Sequence, residues 1–239
     1  MKMYEIGGFM VRNYLLVSDQ GAIAIDTGYP GGLERFVRRF SQIAPLSSLR
    51  YLFLTHAHDD HAGFLGDLLE KTNAQVILHP LAKETLYQGK NQEPPGSGYS
   101  SKLAATFGLI KKDFSFPQLS PALLEERAVY VSAPNDQPFQ EIGLPLRILF
   151  LPGHAADSIG LLDEETGFLY CGDAAMNAII SPKKHTIWID DAKRFGKSWD
   201  EMLAAKPTKI LPAHGNPFSP AQLRRHRNYL CGRRLLPMR

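Results

Sequence analysis

Three histidines and two aspartates fall within one short stretch, Thr-His-Ala-His-Asp-Asp-His at 55–61. An apolar, β-rich run at 49–54 precedes this stretch and a helical pattern at 62–71 follows it. Imidazole and carboxylate groups crowded into a loop are the donors that bind divalent metal ions in proteins. The candidate ligands are His56, His58, Asp60 and His61. Asp59 is interpreted as a solvent-facing neighbour.

Three further candidate ligands stand alone at the ends of apolar runs downstream. They are His154, Asp173 and His214, and each adjoins a glycine. A glycine can adopt backbone angles that turn the chain sharply, so each side chain can point off the end of its strand. Imidazole and carboxylate ligands without a cysteine thiolate suit zinc, with iron or manganese as alternatives.

The seven positions together resemble the metal-site pattern of the metallo-β-lactamase-fold hydrolases, and the resemblance extends over nearly the whole chain. It implies an α/β fold, a four-layer αββα sandwich with the metals at one edge between its two sheets. It also implies that one metal is held by His56, His58 and His154, and a second by Asp60, His61 and His214, with Asp173 bridging the two.

The same resemblance implies how such a site works. Two divalent ions, zinc foremost, share a bridging hydroxide that attacks a carbonyl or phosphoryl centre. Asp60 has a second candidate role as a proton shuttle to the leaving group. Asp26, in Asp-Thr-Gly at 26–28, matches an acid that supports the metal loop from behind its ligands.

The 239 residues are predicted to form a single domain over 1–239. Strand and helix patterns alternate in the first part of the chain, which favours an α/β or layered α+β fold. Glycine, proline and serine interrupt the region at about 80–140, which is interpreted as a lid-like insertion. A basic helix is predicted at about 220–231, with Ser219 as its cap and Pro220 as its first residue.

The individual elements follow from hydrophobic periodicity. Strands are predicted at 9–17, 22–26, 49–54, 75–78, 144–151, 159–162, 168–171 and 209–212. Helices are predicted at 33–43, 62–71, 102–110 and within 117–127, besides the terminal one.

The insertion lies between two ligand motifs that must converge, so its apolar residues are placed to wall a substrate pocket. Together with residues downstream of Asp173, the candidate pocket residues are Tyr99, Phe107, Phe114, Met176, His185 and Trp188. Leu109, Phe116 and Leu119 are further apolar residues of the insertion. An apolar lid favours a small ester, thioester or lactone as substrate. The alternative is that these residues only anchor the insertion to the domain.

Two other activities stay open beside this acyl hydrolase. Phosphodiesterases and nucleases share the fold, and the chain ends in a basic segment. A mononuclear iron oxygenase of the persulfide-dioxygenase type uses fewer of the ligand positions, so the presence of all seven favours two metals and hydrolysis. Met176 stands where lactonases of this fold carry a tyrosine, which weakens the lactone interpretation.

The charge distribution and the hydropathy of the chain indicate which kinds of partner the protein has. The chain carries a net charge of +3, but residues 219–239 hold six arginines and no acid, so the rest carries −3. We interpret the arginines as the solvated face of the last helix, with Leu223 and Leu230 packed inward, which disfavours a nucleic-acid partner. No apolar run approaches the roughly 18 residues that cross a bilayer, and no signal peptide is recognised. A cytoplasmic enzyme with a small-molecule substrate is predicted, and its oligomeric state is left open.

Overall fold

A computed structural model describes residues 1–8, 10–108, 114–229 and 234–237. The chain forms two compact units. The first contains Met1–Gln92 and Phe114–Ser132, and the second contains Glu93–Asp113 and Ala133–Arg239. Residues of the predicted insertion therefore belong to both units, because 114–132 fold with the first and 93–113 with the second.

Strands and helices alternate along the described part of the chain, which confirms the predicted α/β class. The strands are β1 Lys2–Glu5, β2 Tyr14–Ser18, β3 Gly21–Ile25, β4 Leu49–Phe53, β5 Gln75–Leu78, β6 Gly98–Tyr99, β7 Ala128–Tyr130, β8 Leu146–Phe150, β9 Ile159–Asp163, β10 Phe168–Gly172, β11 Trp188–Ile189 and β12 Lys209–Pro212. The helices are α1 Leu33–Ser41, α2 Asp59–Ala62, α3 Leu65–Lys71, α4 Ala82–Gln88, α5 Lys102–Gly108, α6 Pro121–Arg127, α7 Pro138–Glu141, α8 Ala192–Ala204 and α9 Pro220–His226, with a short 3₁₀ turn at Leu46–Ser48.

The first unit is built on a six-stranded sheet in the order β1-β2-β3-β4-β5-β7. The first three strands pair antiparallel, whereas β3, β4, β5 and β7 run parallel to one another. Parallel neighbours end at the same edge of a sheet, so the loops that follow β3 and β4 lie side by side. Helix faces cover the sheet with a shared apolar core that includes Phe40, Leu52 and Leu68.

The second unit holds a four-stranded sheet in the order β12-β10-β9-β8 and a two-stranded sheet of β11 and β6. β9 is antiparallel to both β8 and β10, while β12 is parallel to β10. The strands β8, β10 and β12 therefore run in the same direction and end at the same edge. Its apolar core is contributed by strands and by α8, including Leu169, Phe195 and Trp199.

Part of the predicted insertion is integral to the first unit. β7 is an edge strand of the six-stranded sheet, paired parallel with β5. Phe116, Leu119 and Leu124 are buried in the core of the first unit. For Phe116 and Leu119 the anchoring interpretation is therefore the one that the structure supports.

The sequence patterns missed several elements. The longest is α8, which has no clear helical pattern because its apolar positions are interrupted by Gly196 and by lysines, arginines and acids. The predicted strand at 9–17 starts at Tyr14, and Phe9 lies outside the described residues. The predicted helix at 62–71 is two helices, α2 and α3.

The terminal helix begins at Pro220 as predicted, and Gln222 accepts a hydrogen bond from the Ser219 amide at 3.1 Å. It ends at His226, and Leu223 is buried while Leu230 lies outside the described residues. The arginines are not all in open water, because Arg227 forms a two-pronged ion pair with Asp200 of α8. Among the helices that the structure describes, none has the length and apolar character needed to cross a membrane.

Candidate metal site

The first group of candidate ligands lies in the first unit, after the carboxyl end of β4 and beside the end of the parallel strand β3. The His56 ring centroid lies 4.6 Å from that of His58 and 4.0 Å from that of His61. His61 Nε2 lies 3.7 Å from Asp60 Oδ1. We call His56, His58, Asp60 and His61 the first half-site. The three histidines are buried, and the Asp60 side chain is 16% exposed.

Asp26 holds this half-site in place from the neighbouring strand. One carboxylate oxygen, Oδ1, accepts from the Thr55 amide at 2.8 Å, and the other, Oδ2, accepts from the Thr55 hydroxyl at 2.9 Å. The same Oδ2 lies 2.8 Å from His61 Nδ1. Asp26 has a φ of 58°, a left-handed conformation that costs energy for a non-glycine residue. The carboxylate bonds offset that cost and fix the orientation of the His61 ring.

The residues after Asp26 tie the same loop from a second direction. Thr27 donates to the His61 carbonyl through both its amide, at 2.7 Å, and its hydroxyl, at 2.8 Å. Gly63 donates to the Gly28 carbonyl at 2.9 Å, and a Cβ at Gly63 would lie only 2.5 Å from that oxygen. The loop therefore needs glycine at position 63.

The prediction that Asp59 faces solvent is wrong. Asp59 is 3% exposed and forms a reciprocal pair with Asn91, whose side-chain amide donates to Asp59 Oδ1 at 2.8 Å. Asn91 Oδ1 in turn accepts from the Asp59 amide at 2.8 Å. A single aspartate and a distant asparagine give no sequence signal for this pairing, which fastens the start of the insertion to the ligand loop.

The second group of candidate ligands lies in the second unit. Asp173 follows β10 and His214 follows β12, and these parallel strands end side by side. His154 follows β8, which runs in the same direction. His214 Nε2 lies 3.4 Å from Asp173 Oδ1, and His154 Nε2 lies 3.7 Å from Asp173 Oδ2. We call His154, Asp173 and His214 the second half-site.

Glycines shape the turns that aim these side chains, as the sequence suggested. Gly153 has a φ of 138° and Gly215 a φ of 85°, both in the region that favours glycine. A Cβ at Gly153 would lie 2.2 Å from the amide nitrogen of Phe195 at the start of α8. Helix α8 thus packs directly against the His154 turn.

His154 is oriented by the chain segment before α8. Its Nδ1 lies 2.8 Å from the Trp188 carbonyl oxygen, so Nδ1 carries the proton and donates. The Asp190 amide donates to the Gly153 carbonyl at 2.8 Å. Nε2 is then the basic nitrogen of the ring, and it is the nitrogen beside Asp173.

The distances between the histidine nitrogens and aspartate oxygens can be compared with the spacing of ligands around a metal ion. Zinc binds imidazole nitrogen and carboxylate oxygen at about 2.0–2.2 Å, so two ligands of one tetrahedral ion lie roughly 3.4 Å apart. The His–Asp pairs within each half-site, at 3.4–3.7 Å, match that spacing. The side chains suited to hold a divalent ion are His56, His58, Asp60, His61, His154, Asp173 and His214.

The electrostatics around the second half-site favour neutral groups outside the ligand set. Burial raises the pKa of Asp190 to about 7, and the Trp188 indole, which donates to its Oδ1 at 3.0 Å, partly opposes that rise. Burial also raises the pKa of Cys171, which keeps this thiol protonated. Cys171 is therefore a buried apolar group and not a nucleophile.

The predicted pocket residues occupy different places. In the second unit, Tyr99 and Trp188 face each other across the β6–β11 pair, with ring centroids 5.1 Å apart. His185 is buried and stacks on Tyr229 at 4.9 Å, and Met176 is buried. Phe114 is half-buried in the first unit, where its carbonyl accepts from the Asn91 amide. The Phe107 side chain and Leu109 lie outside the described residues.

Sequence reasoning missed Thr186, whose hydroxyl donates to Asp173 Oδ2 at 3.4 Å. No motif marks it, since a threonine in a polar loop is ordinary. Its contact with Asp173 is visible only in the folded structure, because the two residues are 13 positions apart in the chain.

Comparison with known proteins places this geometry in a family. Residues 6–214 match the family model of the metallo-beta-lactamase superfamily. The chain belongs to that superfamily, and it is a hydrolase of the metallo-β-lactamase type.

Three relatives illustrate the range of the family. The metallo-beta-lactamase fold-containing protein ST1585 of Sulfurisphaera tokodaii is 25% identical over 89% of this chain and 76% of its own length. The acyl-coenzyme A thioesterase MBLAC2 of Bos taurus is 24% identical over 93% of this chain and 78% of its own. The atrochrysone carboxyl ACP thioesterase of Aspergillus chevalieri is 28% identical over 70% of this chain and 42% of its own. The chain thus spans less than half of the Aspergillus protein.

The solved structures show the same fold. The crystal structure of ST1585 superposes with a TM-score of 0.64 and 21% identity, covering 99% of this chain and 89% of that one. The fold that the resemblance implied is therefore confirmed.

Proposed function

We propose that the chain is a binuclear metal-dependent hydrolase of small acyl substrates, with thioesters as the first class to test. In this proposal His56, His58 and His154 would hold one divalent ion, Asp60, His61 and His214 would hold a second, and Asp173 would be a ligand to both. Zinc is the proposed metal, because the donor set is imidazole and carboxylate.

The orientation of Asp173 carries the proposal. Its two carboxylate oxygens face different histidines, Oδ1 toward His214 and Oδ2 toward His154. A carboxylate that served a single ion would turn both oxygens, or only one, toward one set of ligands. The divided arrangement is what a bridging ligand requires.

Bound divalent ions supply Lewis acidity and lower the pKa of water, so no serine or cysteine nucleophile is needed. The protein's part is to hold the donors without reorganisation. Asp26 fixes His61 and the Trp188 carbonyl fixes His154, each through Nδ1. Asp60 is the acid that would pass a proton to the leaving group, and its side chain is 16% exposed.

The substrate class rests on the named relatives and on the residues around the ligands. Two relatives are named as thioesterases, one for acyl-coenzyme A and one for an acyl carrier protein. Trp188, predicted to line the pocket, accepts a hydrogen bond from His154 Nδ1 through its backbone carbonyl, and Tyr99 is its neighbour on the paired strand β6. Aromatic rings at that place suit an apolar acyl chain.

The test combines metal analysis with a substrate panel. Protein purified without added metal is analysed for its metals, then assayed on short acyl-coenzyme A thioesters, simple esters, a lactone and a phosphodiester. We expect about two ions per chain and preferred cleavage of thioesters.

The controls separate the parts of the proposal. Asp173→Asn should disturb both ions, whereas one tightly bound ion per chain in metal-replete wild type would contradict the binuclear assignment. Preferred cleavage of the phosphodiester, lost in His56→Ala, would replace the acyl substrate with a nucleic-acid or nucleotide class.

A further inference from the structure

Residues 186–190, which we call the brace, contact two ligands of the second half-site. The Thr186 hydroxyl donates to Asp173 Oδ2 at 3.4 Å. Two residues further on, the Trp188 carbonyl accepts from His154 Nδ1 at 2.8 Å. The Asp190 amide then donates to the carbonyl of Gly153. One short segment thus orients both the proposed bridging aspartate and a histidine.

The brace is itself held by β6. Trp188 and Ile189 pair antiparallel with Tyr99 and Gly98. The Ser100 amide donates to the Ile187 carbonyl at 2.9 Å, and the Ser100 hydroxyl donates to the Thr186 carbonyl at 2.6 Å. These bonds run along most of the brace and fix where its carbonyl oxygens point.

The segment 234–237 closes the other edge of β6. The Tyr99 amide donates to the Leu236 carbonyl at 2.7 Å, and the Leu236 amide donates to the Tyr99 carbonyl at 2.9 Å. The approach is close, because a Cβ placed on Gly98 would lie 2.4 Å from the Leu236 oxygen. Leu235 packs against the apolar core of the second unit. Part of the basic segment 219–239 therefore forms a β-bridge with β6.

We infer that the bridge between Leu236 and Tyr99 is a positioning device for the metal ligands His154 and Asp173, acting through β6 and the brace. The inference rests on the proposed function, since it needs these two residues to be ligands. A carbonyl that orients a ligand histidine is placed only as well as the strand that carries it. Without the bridge, β11 is the one strand that remains paired with β6 among the described residues, and the brace loses the support on the far side of β6.

The first test removes one backbone donor. Leu236→Pro lacks the amide that bonds to Tyr99, whereas Leu236→Ala keeps both backbone bonds and removes only side-chain atoms. Both variants are titrated with Co²⁺, with the visible spectrum recorded as a report on ligand geometry. We expect Leu236→Pro to bind Co²⁺ up to about 10-fold more weakly, the lower end of the effect for groups that bond directly to a ligand, and to alter its spectrum. Leu236→Ala should resemble the wild type.

A second pair of variants distinguishes the loss of ligand positioning from a general loss of stability. Gly98→Ala forces the segment 234–237 away from β6 without changing that segment, and it should reproduce the spectral change of Leu236→Pro. Leu235→Ala weakens packing beside the bridge but keeps the bridge itself. It should lower the melting temperature and leave the Co²⁺ spectrum unchanged. Equal spectra for Gly98→Ala, Leu236→Pro and wild type would overturn the inference.

His154→Ala separates this inference from the proposed function. If His154→Ala weakens Co²⁺ binding and the bridge variants do not, the ligand assignment stands and the positioning role fails. If His154→Ala itself binds Co²⁺ like the wild type, the proposed function fails first. Weakened binding in His154→Ala, Gly98→Ala and Leu236→Pro, with Leu235→Ala normal, supports both.

Discussion

The two half-sites reach similar chemistry by different routes. The first half-site lies in one continuous loop, where four candidate ligands follow a single strand within six residues. The second is assembled from three separate strands, each contributing one ligand at its end. The first half-site depends on a local turn and its supports, whereas the second depends on strand direction and register.

The supports differ in the same way. In the first half-site a carboxylate, Asp26, bonds to Thr55 and His61 from the next parallel strand. In the second, a backbone carbonyl at Trp188 and a hydroxyl at Thr186 do the equivalent work. A side-chain support can be recognised in a sequence, but a carbonyl support is available at every residue. Only the fold shows which carbonyl is used.

The largest expected effect comes from the ligand that faces two histidines. Asp173→Asn keeps the shape of the side chain and removes its charge, so metal content and kcat/KM should both fall. The loss in kcat/KM should exceed the roughly 100-fold typical of supporting residues. Asp163→Asn is the matched control. Asp163 is a buried acid of the same sheet, and the described hydrogen bonds of its side chain come from the backbone amides of residues 165 and 166. If the two variants lose metal equally, Asp173 has no special role.

Asp26→Asn tests the side-chain support of the first half-site. Asparagine tolerates the positive φ at this position, so the backbone should be kept. Its amide group cannot serve both Thr55 and His61 as the carboxylate does, and we expect metal affinity to fall roughly 10- to 100-fold. Isothermal titration with zinc measures the change, and Thr55→Ser, which keeps the hydroxyl, should be close to wild type. Unchanged affinity in Asp26→Asn would mean that His61 needs no orienting carboxylate.

Gly153→Ala tests the backbone support of the second half-site. The substitution combines a φ of 138° with a Cβ only 2.2 Å from the Phe195 amide, so α8 must shift. We expect the free energy of unfolding to fall by about 2 kcal/mol. Gly143→Ala has a φ of 78° with open space around its Cβ, and it should cost about 1 kcal/mol. Urea unfolding of both variants checks this, and equal losses would show that the contact with α8 is unimportant.

The sequence predicted the first half-site more completely than the architecture around it. The ligand loop, the strand before it and Asp26 are all visible, because they depend on residue types at short spacing. The strand β5 and the hairpin of β9 and β10 were likewise marked by apolar runs between turn residues.

The elements and contacts that the sequence does not predict depend on pairing between residues far apart in the chain. α8 has a mixed pattern that tertiary packing on Gly153 stabilises, and β6, β7 and β11 are two or three residues long. Such strands carry no periodic signal and form only when a partner is already present. The Asp59–Asn91 pair and the Leu236–Tyr99 bridge are missed for the same reason, since their partners are far apart in the chain.

The smallest expected effect concerns the ion pair between Arg227 and Asp200 of α8, the helix that packs against the His154 turn. The guanidinium holds the pKa of Asp200 below its ordinary value of 3.8, so the pair stabilises the folded chain above that pH. The contribution is lost as the pH falls through the lowered pKa, and because the Asp200 side chain is 57% exposed it should not exceed about 1 kcal/mol. Arg227→Ala should therefore lower the melting temperature slightly at pH 7, and the effect should shrink once acid protonates Asp200. Arg225→Ala removes a charge of the same sign from α9 and should have less effect at pH 7. Metal affinity should be unchanged in both, because α8 is held at its other end by the Asp191 cap and by Gly153. A large loss of metal affinity in Arg227→Ala would show that the second half-site depends on the whole length of α8, and not only on the turn that α8 covers.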